Sequence, residues 1–377
     1  MAMNAIPASR QFMARFERWY QRYFLIIFAV GMVLLWLNEV FVHSLLGHWD
    51  WLFISGVVIA FLGLRLGILL PAQMGRMLER LRVSGSLVLT NGVEQVLSEE
   101  QLKTFRGPFE ARSARWARNG GIGGIVVILL SILAISYYRK DLSNIIGNFG
   151  DIITNPLDTI FFVGFVIFLA ALICGGHGIG YYLGYAASNG GLGHLLKQHA
   201  LVVKVQPGHP DKAAGLRPVG NLYFWQAMLL AIPALFLVGW WVLIGVVPYF
   251  TKLYAQWRAP YLIMFALVVI TEVLAFVGPL WSFHQEMQVQ KTKLLLEEAD
   301  TLGQSIVSIE KELAEGPPSE KANVLKDQLA AMRQRYEAIQ QMPTWPVDTN
   351  TLWKFAGGLV VQIFIAVLGA LISKLFS

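Results

Sequence analysis

Cysteine is almost absent from this chain of 377 residues: Cys174 stands alone, so no disulfide can form within one molecule. Charge is scarce as well. Only 14% of residues are charged against 55% hydrophobic, and mean hydropathy is +0.54, a composition that excludes an ordinary soluble domain. Catalytic signatures are missing: there is no HExxH, no GxSxG and no P-loop. The 7 histidines offer no metal-ligand spacing beyond His194 and His199. An enzyme is therefore not expected, nor a metal or cofactor. A cleavable leader is not expected either, because the first apolar stretch is too long for a signal h-region and has no small-residue cleavage site.

What the chain does have is long apolar runs. Seven could cross a hydrocarbon core of about 30 Å: Tyr23–Leu46, Trp51–Leu70, Ile122–Tyr137, Leu157–Leu183, Tyr223–Val247, Tyr261–Trp281 and Leu352–Phe376. The expected class is an all-α membrane protein of about seven transmembrane helices with an antiparallel coiled-coil hairpin between the last two. Lys and Arg concentrate in residues 1–22, 72–120 and 187–222, which places these segments and the hairpin in the cytoplasm and the C-terminus outside. Around residues 1–22, Phe12, Phe16, Trp19, Tyr20 and Phe24 share one helical face and Arg15, Arg18 and Arg22 another, as in a helix lying in the inner interface.

The hairpin, residues 284–342, carries the clearest periodicity. Leu295, Ala299, Leu302, Ile306, Ile309 and Leu313 alternate at spacings of four and three on the outgoing arm. Leu325, Leu329, Met332, Tyr336 and Ile339 do so on the return, after a turn at Gly316-Pro317-Pro318. The outgoing arm would reach about 45 Å from the bilayer. This plan ties a cytosolic lever to the last membrane helix.

Charges within spans are costly and so point to function. Arg65 and Glu272 each lie about 21 Å below the outer ends of their helices and could pair at one depth. Glu39 sits nearer the outer face, where it could draw cations to a mouth or snorkel to the interface. In the last span Gly358, Gln362, Ala366, Gly369 and Ser373 form a stripe of small and polar residues that should face protein or water, not lipid. In a ring of subunits it could line a pore, and otherwise it packs against the sixth span.

Two motifs are discounted. His209-Pro210-Asp211-Lys212 spells the tetrapeptide of J-domain co-chaperones, but here a short β-like run, Leu201–Val205, precedes it and a membrane span follows; His209 and Asp211 read first as residues that tie down a turn. Gly176, Gly180 and Gly184 recur every four residues as a flat helix-packing face and not as a dinucleotide loop. The basic surplus of residues 72–120 follows from membrane topology, so nucleic acid is not an expected partner, whereas a small anionic or nucleotide ligand and a cytosolic protein remain open.

The segment Gln206-Pro-Gly-His-Pro-Asp-Lys-Ala-Ala-Gly-Leu216 resembles the HPDxAGGL loop of a group of uncharacterised bacterial multi-pass membrane proteins, with Ala214 where glycine is usual. Phe109–Arg118 and Pro343–Asp348 are similar to further segments of that group, so the likeness covers roughly residues 80 to 376. It implies a bacterial inner-membrane location and no particular chemistry. The overall plan is similar to that of membrane effectors of antiphage defence. The expected function is an oligomeric ion channel or pore gated from the cytosolic side, with a non-conducting scaffold or sensor that recruits a soluble partner through the hairpin as the rival. A secondary transporter ranks third, since no inverted repeat is visible.

Overall fold

Long helices follow from the apolar runs, because inside a membrane every backbone amide must find its partner within its own segment. The computed structural model describes residues 15, 18–19, 22–26, 28–33, 35–37, 39–40, 47–90, 94–139, 173 and 176–375. In chain order the named elements are α1 (Trp51–Val83), β1 (Leu87–Thr90), β2 (Glu94–Val96), α2 (Glu99–Arg139), α3 (Leu192–Gln198), β3 (Leu201–Val203), α4 (Arg217–Val246), α5 (Pro248–Tyr254), α6 (Arg258–Leu294), α7 (Asp300–Ala314), α8 (Ser319–Gln340) and α9 (Thr349–Leu375). A π-turn, Leu295–Ala299, carries α6 into α7 without a break.

Among the described residues four helical runs are long and apolar enough to cross a membrane, not the expected seven: Trp51–Val83, Arg217–Val246, Pro248–Ala314 and Thr349–Ile372. They answer to the second, fifth, sixth and seventh expected spans and support a multi-pass membrane protein. The expected third span is only the tail of α2, a helix whose first half carries Arg106, Arg112, Arg115 and Arg118. The first is represented by the shorter apolar stretch Arg22–Leu37. Most of the fourth, with Cys174, lies outside the described residues, as does most of the expected interfacial helix.

The chain divides into two units. The first comprises Met1–Ala72, Ala111–Ser188 and Leu235–Tyr261. Within it, α2 meets the helical residues 176–189 through glycine. A Cβ added at Gly124 would run into the carbonyl oxygen of Gly176, one at Gly180 into that of Gly120, and one at Gly184 into that of Trp116. The anticipated glycine face is thus a backbone-to-backbone contact. A hydroxyl pair, Ser188 donating to Ser113 at 2.8 Å, lies on the same two segments. Apolar side chains on α2 such as Val127 and Leu130 stay exposed, as lipid-facing residues do.

The second unit comprises Gln73–Glu110, Asn189–Ala234 and Leu262–Ser377. Its core gathers the end of α1 (Leu78, Leu81), β1 (Leu87), α2 (Leu102, Phe105), α3 (Leu192, Leu196), α4 (Leu222, Tyr223) and α6 (Phe276, Leu280). At its centre is a small antiparallel sheet of order β2-β1-β3, with Val88 opposite Val96 and Val202. The expected helical segment 72–120 is therefore interrupted by strands. Leu-Val-Leu-Thr followed by Asn91-Gly92 is a hairpin signal that the membrane reading passed over. α2 restarts at a reciprocal cap, in which Ser98 Oγ accepts from the Gln101 amide and Gln101 Oε1 from the Ser98 amide.

The hairpin agrees with its periodicity residue by residue. Ala299, Ile309, Leu325 and Ile339 are buried, the remaining seam positions are half-buried, and the positions beside the buried ones are mostly exposed. Gly316, at φ +73°, takes the left-handed turn that an L side chain would resist. Arg335 with Glu298, Arg333 with Glu310 and Lys321 with Glu312 bridge the two arms.

Candidate functional site

Two layers of the second unit bring the polar residues of interest together. The upper layer lies within the apolar helices. Glu272 on α6 and Gln362 on α9 are both enclosed, at 0% and 1% exposure, and Gln362 Nε2 donates to Glu272 Oε2 over 3.2 Å. Oε1 of each has no hydrogen-bond partner. One helical turn along α6, Phe276 stacks on Phe355 of α9 with ring centroids 4.1 Å apart, so apolar packing closes the lower side of the contact.

Burial along the last span follows the stripe in part. Gln362 and Gly369 are buried and Gly358 and Ala366 half-buried, while Val360, Val361, Ile363, Phe364, Leu368 and Leu371 are exposed; the side chain of Ser373 lies outside the described residues. At Gln362 the stripe meets α6. The expected partner of Glu272 was Arg65, which belongs to the first unit; there its guanidinium lies 5.0 Å over the Phe24 ring. Within its own unit Glu272 accepts a hydrogen bond from Gln362. The sequence named both residues but assigned them to different tasks. A polar residue on the packing stripe of the neighbouring helix was the available signal.

Glu39, in the first unit, is enclosed and not displayed at a surface. Its Oε2 accepts the Asp50 amide at 2.9 Å, and Asp50 in turn caps α1 through the Phe53 amide and accepts the Tyr254 hydroxyl at 3.0 Å. That is a tie between chain segments.

The lower layer is a collar at the base of the hairpin. Gln290 on α6 lays its side-chain amide along the free edge of β3, donating to Val203 O at 2.7 Å and accepting from the Val205 amide at 3.0 Å. Lys291 Nζ donates to Met342 O at 2.7 Å where α8 ends. His284 is held between rings, stacked on Trp345 at 4.3 Å and beside Trp281 at 5.3 Å, with Nδ1 2.6 Å from Thr344 O. Apart from the Trp281 contact, which lies within α6, these contacts join α6 to the sheet or to the segment that leads from α8 into α9.

The loop of His209 and Asp211 completes the collar. Asp211 Oδ1 accepts the amides of Ala213 and Gly215, at 2.9 and 3.0 Å, and Oδ2 that of Arg217 at 3.1 Å. His209 Nδ1 lies 2.9 Å from Oδ1. Burial pushes the Asp211 carboxyl up, but the amides of Gly215 and Ala213, His209 and the Arg217 amide outweigh it and hold it below the usual carboxylate range. The loop is thus a cap for α4, with Lys212 and Ala214 in left-handed conformations. Arg217 then reaches Asp348 at 3.5 Å, and Asp348 caps α9 by accepting the Thr351 amide at 3.1 Å. Burial pushes Asp348 up, and Thr351 and Arg217 together bring it below the usual range.

Among the described residues no cluster of three or more His, Cys, Asp or Glu side chains could hold a metal ion. No protein-family model, no curated protein and no solved structure matches the chain. The geometry itself carries whatever can be said of function.

Proposed function

We propose that the protein is an oligomeric ion channel or pore of a bacterial inner membrane, gated from the cytosolic side by its hairpin. One observation carries the reading. The enclosed Glu272 lies on a helix that continues directly into one arm of the hairpin, and Gln362 on the helix fed by the other arm. A polar contact inside apolar helices is costly to maintain without purpose. Attached at both sides to a rigid lever, it is well placed to respond to that lever. A change of register between α7 and α8, started by a ligand or protein at the collar, would shift α6 against α9 and alter the contact, a population shift between closed and open arrangements. The π-turn at Leu295–Ala299 fits this role, since an extra residue in a helical turn is where a helix most readily changes its rotation.

The reading is tested with the full chain purified into vesicles. Ion flux is expected from the wild type, and removal of one heptad from each arm, around Leu302–Ile309 and Leu325–Met332, should change that flux while the oligomer stays intact. No flux from an intact oligomer, with or without the shortened hairpin, would replace channel by non-conducting scaffold.

A further inference from the structure

Among the side-chain oxygens of the second unit that are enclosed without any hydrogen-bond donor are Oε1 of Glu272 and Oε1 of Gln362. They belong to the very residues joined by Gln362 Nε2 donating to Glu272 Oε2. An ionised Glu272 offers only acceptors, so beside the Gln362 carbonyl it would leave both atoms unsatisfied. A lone carboxylate in such surroundings is less stable than one that has taken up a proton.

No cation of its own unit relieves it. Glu272 has no ion pair among the described residues of that unit, and the other ionisable groups on the helices that share its core are engaged or distant along their helices. On α4, the Tyr223 hydroxyl donates to Asn189 O at 2.7 Å and Arg217 is turned to Asp348. On α6, His284 is fixed to Thr344 O, and Glu286 lies 3.0 Å from Lys197. On α9, Lys354 is exposed, two turns before Gln362.

A single proton supplies what both atoms lack. With Glu272 protonated, its O–H donates to Gln362 Oε1 while Gln362 Nε2 continues to donate to the other carboxyl oxygen, closing an acid–amide ring. We propose that Glu272 and Gln362 form a proton-binding site, neutral at rest, whose deprotonation sets two acceptors face to face and loosens α6 from α9. In that step the O–H bond breaks, the electron pair stays on the carboxylate and the proton passes to water. The proposal deepens the conduction reading by naming the proton as the species this contact handles, and it rests on that reading only for what the release accomplishes.

The test is infrared difference spectroscopy of the full chain in lipid vesicles, with proton and potassium flux recorded on the same preparation. The wild type should show the C=O stretch of a protonated carboxyl at neutral pH, sensitive to deuterium. Glu272→Gln should abolish this band while keeping the melting temperature and elution volume of the wild type, because an amide replaces a neutral acid of the same shape. Gln362→Leu should shift the band. A wild type without the band at neutral pH, or a band that survives Glu272→Gln, overturns the proposal. If the band is present but neither ion crosses, the proton site stands and conduction falls; if ions cross and no band is found, conduction stands and the proton site falls.

Discussion

In the first unit α2 and residues 176–189 touch backbone to backbone at Gly120, Gly124, Gly180 and Gly184, and side chains as large as Leu130 are left outside. In the second unit Leu81, Leu87 and Leu192 are fully enclosed around a sheet, and a close backbone approach accompanies them at Gly220, where an added Cβ would meet the carbonyl oxygen of Pro346. The contrast is one of solvent. Among lipid tails a leucine gains nothing by leaving the surface, so helices hold together where glycine lets them approach closely. In water burial itself drives association, at about 25 cal/mol per Å². The enclosed core around the sheet is built by side chains of residues 72–120 and 187–222 together with α6, the segment that follows α8, and α9.

The contrast can be broken most sharply at glycine. Gly180→Leu should prevent recovery of monodisperse protein, because the obstructing atom is a backbone oxygen and cannot move aside; overpacking against side chains alone costs about 1–3 kcal/mol. Gly278→Ala on α6, where a Cβ meets nothing, is the control and should stabilise by up to about 1 kcal/mol. Equal behaviour of the two variants in thermal unfolding and size-exclusion chromatography would remove the distinction.

The second unit should answer to side-chain volume instead. Phe276→Ala removes the ring stacked on Phe355 and should cost about 3–5 kcal/mol, read as a lowered denaturation midpoint. A smaller effect is expected at the loop. Asp211→Ala should cost about 2 kcal/mol at neutral pH, since three amides lose a charged acceptor. Its carboxyl is depressed in the folded protein, so its stabilisation is complete above the unfolded value of about 3.9 and lost as pH falls through the lower folded value. The Asp211→Ala and wild-type stability curves should therefore converge at low pH; curves that stay parallel would show that the carboxylate charge is not what matters.

How far the sequence foretold this architecture differs between the same two regions. The hairpin was legible to the residue, because a period of 3.5 with an apolar seam has one physical solution. Of the strands, β3 was foreseen as the β-like run Leu201–Val205, but β1 was not: Leu87–Thr90 is too short to stand out beside membrane helices, and only Asn91-Gly92 announced it. Seven apolar runs were visible, yet apolarity measures what a segment tolerates and not whether a crossing is completed, and four of the described runs qualify. Glu272 and Gln362 were both singled out, but for different tasks, and neither depth nor periodicity announced that the two side chains meet.

The smallest expected effect lies on the exposed side of the hairpin. Arg335→Ala breaks the pair with Glu298 beside the π-turn, 44% and 35% exposed, and should cost only about 0.5 kcal/mol in stability. Its flux phenotype in vesicles should nonetheless exceed that of Lys321→Ala, which breaks a similar pair near the tip. Identical phenotypes would mean that the turn is not where the lever bends.

Gln290 has a further consequence. By filling the hydrogen-bonding edge of β3 with a side chain, it denies that edge to any other strand, so the root of the hairpin also guards a sheet that would otherwise be open to pairing. Any movement of α6 that withdraws this one amide uncovers the N–H of Val205 and the carbonyl of Val203 together. An edge uncovered in that way is of the kind to which an extended segment can add as a further strand.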